Sequence, residues 1–87
     1  MGLIVKSYLM YNRTPASLYR KLIVETDGKK YRLRISEGEV SERHPYELVE
    51  MNRHSRLYGE ENEATEAAES LFRKFKSVGW HPYQSSA

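Results

Sequence analysis

Three histidines, His44, His54 and His81, are the side chains best suited by type to bind a metal or move a proton at neutral pH. A metal site needs converging ligands. These stand ten and then twenty-seven residues apart, with no cysteine in the chain and no histidine pair at the i, i+4 spacing of a helix face. Nucleophilic hydrolysis has no better support. The one aspartate, Asp27, precedes Gly28 in a turn, no serine sits in a G-x-S-x-G context, and the glutamates at 60–69 are explained by a helix start. The five glycines, Gly2, Gly28, Gly38, Gly59 and Gly79, are isolated, so none builds a phosphate-cradling loop. The reading is a binding protein and not an enzyme, with no catalytic residue, cofactor or metal ligand assigned.

What remains is charge. Lys30, Arg32 and Arg34 alternate with Tyr31, Leu33 and Ile35, which on a strand sets the cations on one face and the apolar residues on the other. Lys21 belongs with them across the hairpin, beside Tyr19. Residues 1–36 carry eight cations against two anions, a balance of +6; residues 37–87 carry six against ten, −4, so the overall +2 conceals a polarised chain. Cations side by side repel, and an anionic partner such as a nucleic-acid backbone relieves that repulsion. The ordinary alternative is a solvated face whose lysines and arginines discourage edge-to-edge aggregation.

The hairpin that positions these residues is the clearest element. Leu18–Thr26 and Lys29–Ser36 flank Asp27-Gly28, the pair that suits a two-residue type I′ turn. That loop length sets Val24 opposite Tyr31 and Leu22 opposite Leu33 on an apolar face with Arg20 and Ile35. The other face then holds Glu25 opposite Lys30, Ile23 opposite Arg32, Lys21 opposite Arg34, and Tyr19 opposite Ser36. Leu3–Asn12 reads as a further strand, apolar on both parities, and residues 12–17 as a loop around Pro15. Asn12-Arg13-Thr14 fits the glycosylation sequon, to which no role is given without a secretory signal.

Beyond Ser36 the pattern thins. Glu37-Gly38 reads as a turn, Tyr46–Asn52 as a fourth strand in preference to a short helix opened by Pro45, and Asn52–Glu61 as a loop. His44-Pro45-Tyr46 recurs as His81-Pro82-Tyr83; both read as loop corners with the tyrosine packed at the core's edge. The C-terminal helix is plain: Ala64, Ala67, Ala68, Leu71, Phe72, Phe75 and Val78 form one apolar stripe. Asn62 is the expected N-cap. Gly79 suits the left-handed position after the helix, with Trp80 folding back on Phe75.

With 87 residues, 39% hydrophobic and 30% charged, the chain has material for one small core and is too apolar to be disordered. Its apolar runs, Leu3-Ile4-Val5 among them, fall far short of a membrane span, and a cytoplasmic protein is expected. The elements sum to a single α+β domain over 1–83 with a short disordered tail at 84–87. In it an antiparallel sheet of three or four strands carries the amphipathic helix on one face. The leading functional expectation is binding of nucleic acid, single-stranded DNA or RNA, through Lys21, Lys30, Arg32 and Arg34, with Tyr19 as a stacking ring. The second is a protein-interaction module, an inhibitor or adaptor docking on a larger protein such as a nucleic-acid enzyme. Seven tyrosines, a tryptophan and an exposed sheet edge that can also pair two copies of the chain support it.

Overall fold

The central hairpin carries the alternation that its sequence promises. The computed structural model describes residues 2–12, 18–41 and 47–82. In it β2 (Leu18–Thr26) pairs antiparallel with β3 (Tyr31–Ser41), and Leu22, Val24 and Leu33 are fully or almost fully buried on one face. The register is corrected by two residues: Thr26 stands opposite Tyr31, Leu22 opposite Ile35, Lys21 opposite Ser36 and Glu25 opposite Arg32. The cause lies in the turn. The Asp27 Oδ1 accepts from the N–H groups of Lys29 and Lys30 at 2.9 and 3.0 Å. The Thr26 hydroxyl accepts from the Gly28 N–H and donates to the Lys30 carbonyl. These side-chain bonds stretch the loop to four residues with Gly28 at φ 98°. A slip of two keeps every side chain on its face.

β1 (Leu3–Asn12) lies along β2, and β4 (Glu47–Tyr58) along the far side of β3. With the two-residue β5 (His81–Pro82) on β1, the sheet order is β4-β3-β2-β1-β5, antiparallel throughout. The fold is thus α+β, an antiparallel sheet with its helix packed on one face. Two expectations for the middle of the chain are corrected: Glu37-Gly38 is not a turn, because β3 continues to Ser41, and residues 52–58 are strand and not loop. The pairing shifts register at Glu37/Gly38, so Gly38 faces Glu50 while Glu37 faces Asn52. Such a bulge breaks the alternation by which a strand is read. His44-Pro45-Tyr46, Arg13-Thr14, Pro15, Tyr83 and 84–87 lie outside the described residues.

α1 (Glu61–Ser77) crosses the face bearing Leu22, Val24 and Leu33, burying Ala64 and Ala68 against them and Met10. Small residues at the centre of the stripe let the helix axis approach the sheet, while Leu71, Phe72 and Phe75 pack around the margin. Val78 is the exception in the stripe, 64% exposed past the helix end. The N-cap is Glu60 without a side-chain cap bond, and Asn62 lies inside the first turn. At the other end the Trp80 N–H donates to the Phe75 carbonyl and the Gly79 N–H to that of Lys76, with Gly79 at φ 103°. That is a Schellman cap. Among the described residues no helix is long and apolar enough to cross a membrane.

Two aromatic seams fasten the helix. Toward β1, Tyr8 stacks on Phe72 with centroids 4.4 Å apart, and Lys6 Nζ meets Glu69 Oε1 at 2.9 Å. Toward β2, the Arg20 guanidinium lies 4.3 Å from the Phe75 ring centroid and 4.5 Å from that of Trp80. Its Nε reaches Glu37 Oε2 at 3.2 Å, and Asn52 donates to the other Glu37 oxygen. So Arg20 is a structural cation, its charge spread over two rings and a carboxylate.

Candidate functional site

The helix covers one face of the sheet, and the strand alternation sends every second side chain to the other. By their pairing, that face takes Lys21 from β2, Arg32 and Arg34 from β3 and, opposite Ser36, Arg53 from β4. Around them stand Ile4, Ile23 and Leu57, of which Ile4 and Leu57 are 66% and 58% exposed. Among the described residues two carboxylates share the face, Glu25 and Glu50.

Glu50 is the most heavily engaged of these groups. Its oxygens accept from Arg53 Nε and Nη2 at 3.1 and 2.7 Å, a bidentate pair. Those bonds, then one from the Ser36 hydroxyl, hold its carboxyl below the usual range, and the charge of Arg34 adds to the effect. Glu25 Oε1 lies 3.5 Å from Arg34 Nη1. Lys21 and Arg32 have no carboxylate within salt-bridge distance among the described residues.

Lys30 is not on β3: it is the last residue of the four-residue turn, exposed, with its carbonyl held by Thr26. It rejoins Arg32 along a shallow cleft of about 230 Å³ that Glu25 and Leu57 also line. The sequence-predicted cations therefore come to one face and its rim, but as a staggered set: Lys21 is opposite Ser36, not Arg34, and Glu25 opposite Arg32, not Lys30.

Tyr19 is the clearest correction. It is on the expected face, yet 4% exposed, so its ring offers no open platform for a base. Tyr19 stands opposite Gly38. There the Val49 carbonyl fills the space a Cβ would take and the Glu50 Cα lies 3.0 Å from that position. Burial, and then the Glu50 charge, pushes the phenol's pKa up. A strand crowding in at a side-chain-free position closes this end of the face. Arg53 is the residue the sequence missed: it lies in a stretch without apolar alternation, and only pairing with β3 gives it a face.

His54 faces Ile35 from the helix side of the sheet, and His81 stands by Tyr11 with ring centroids 6.1 Å apart. The described residues hold no cluster of three metal-ligating side chains. Comparison with protein-family models, with curated proteins and with solved structures finds no match for this chain, so the functional reading rests on the residues themselves.

Proposed function

We propose that this is a small cytoplasmic binding protein, not an enzyme, that holds the phosphate backbone of a nucleic acid against the helix-free face of its sheet. The observation that carries the reading is the juxtaposition of Lys21, Arg32 and Arg34 on adjacent strands, two of them without an anionic partner among the described residues. Cations with no carboxylate within salt-bridge distance leave their charge available to phosphate, and binding gains from released counterions. Lys30 extends the row at the turn. With Tyr19 buried, contacts to bases fall to exposed apolar side chains such as Ile4 and Leu57, which carry little sequence information.

The test is fluorescence anisotropy of labelled single-stranded DNA, RNA and duplex DNA at low and moderate salt. Wild-type affinity should fall steeply with salt, and Arg32→Glu with Arg34→Glu should lower it by about tenfold or more while the circular dichroism spectrum is unchanged. Equal affinity in the doubly reversed protein would remove this face from consideration.

A second reading, protein recognition, draws on β4. Its outer edge is unpaired among the described residues, and Val49, Met51 and Leu57 on it are exposed. A strand added there, from a larger protein or a second copy of the chain, would cover them. Sedimentation equilibrium distinguishes self-pairing: a monomer at high concentration excludes the homodimer.

A further inference from the structure

We propose that Glu25 is a built-in competitor for the nucleic-acid backbone: in the free protein its carboxylate occupies Arg34, and binding replaces that carboxylate with a phosphate. The inference rests on the nucleic-acid reading above and assigns a role to a residue which that reading leaves out. Three observations carry it. Glu25 stands opposite Arg32 in the ladder, yet its Oε1 lies 3.5 Å from Nη1 of Arg34, the next cation along the same face. The two side chains are 23% and 31% exposed, so the pair is neither sealed in the core nor free in water, and an incoming anion can reach it. The other carboxylate of the face is committed differently: Glu50 is clamped by two hydrogen bonds from Arg53. Of the two acidic contacts the single long one, Glu25 with Arg34, is the one that yields.

The consequence is a division of labour. Lys21 and Arg32 meet the phosphates first, and Arg34 joins only when Glu25 releases it. A partly exposed, singly bonded pair of this kind is worth on the order of 1 kcal/mol, a factor of about five in affinity. Each further phosphate neutralised on a single strand steepens log K against log salt by about 0.7.

The experiment uses a fluorescein-labelled oligothymidylate with the whole chain and five variants: Glu25→Gln, Glu25→Ala, Arg34→Ala, Glu25→Gln with Arg34→Ala, and Glu63→Gln. Glu63 is exposed on α1, across the sheet, and controls for the loss of one negative charge anywhere. Glu25→Gln and Glu25→Ala should each tighten binding about three- to fivefold with a steeper salt slope. Glu63→Gln should not, and the gain should vanish in the Arg34→Ala background. Unchanged affinity in both Glu25 variants, or a gain that survives without Arg34, overturns the inference while wild-type binding leaves the reading intact. Absence of wild-type binding at low salt overturns both.

Discussion

Replacing Gly38 with alanine adds one methyl group at the tightest point of the sheet. A Cβ there would fall inside van der Waals contact of the Val49 carbonyl oxygen, with the Val49 carbonyl carbon at 2.9 Å and the Glu50 Cα at 3.0 Å. All three are backbone atoms, so no rotamer change relieves the clash; β3 and β4 must part. Overpacking costs about 1–3 kcal/mol, and each ladder hydrogen bond lost adds about 1 kcal/mol, so a total of about 2–4 kcal/mol is expected. For a chain this short the whole stability is about 4–13 kcal/mol, and the melting temperature should drop by roughly 10–25 °C. The matching control is Gly59→Ala, where nothing lies within 4 Å of the new Cβ and φ is not positive. Thermal melts by circular dichroism give both values. Gly38→Ala melting within a few degrees of Gly59→Ala would refute the claim that the bulge presses β4 onto residue 38, and with it the explanation of why Tyr19 is buried.

Arg20→Ala should cost about 1–2 kcal/mol, from two cation–π contacts and the Glu37 pair, read as a lower urea midpoint and a shift in Trp80 fluorescence. Arg20→Lys should recover only part of it, since an ammonium cannot lie flat between two rings; full recovery would count against stacking. The seam between Lys6 and Glu69 should show in the pH dependence of stability. A hydrogen bond from Lys6, and its charge, hold the Glu69 carboxyl below its ordinary 4.5, while the bond to Glu69 pushes Lys6 up to about 12. Glu69 thus contributes stability above 4.5 that is lost as pH falls through its lowered value. Lys6 contributes stability below its ordinary 10.5 that is lost as pH rises through about 12. The gap in urea midpoint between wild type and Glu69→Gln should therefore be full above the ordinary 4.5 and narrow as pH falls through the lowered value; a constant gap would mean the pair does not couple to folding.

The faces of the hairpin were legible because alternation depends only on parity, and the two-residue slip imposed by Asp27 left Leu22, Val24 and Leu33 inward and Arg32 and Arg34 outward. The register itself was not legible, because it follows from which backbone N–H groups one carboxylate captures. The helix and its Gly79-Trp80 cap could be read from spacing alone. β4 could not: as an edge strand it is exposed along nearly its whole length, so no burial pattern is written into it, and its strand character comes from β3. Arg53 and the burial of Tyr19 both depend on that pairing. The cationic part of the candidate site was thus visible as a pattern, and its anionic counterpart, Glu50 clamping Arg53, was not.

The strand order has a kinetic meaning. Among β1 to β4 every pairing joins strands adjacent in the chain, so the sheet can zip one hairpin at a time with short loops to close and little entropy lost before contacts form. The contacts of α1 and β5 bridge most of the chain: Lys6 reaches Glu69, Arg20 reaches Trp80, and Met10 and Tyr11 reach Pro82 and His81. Those contacts form from a segment that is synthesised after β1 to β4. Until residues 61–82 are made, Leu22, Val24 and Leu33 lack their helix cover, and the growing chain carries an open apolar sheet face that this later segment must close.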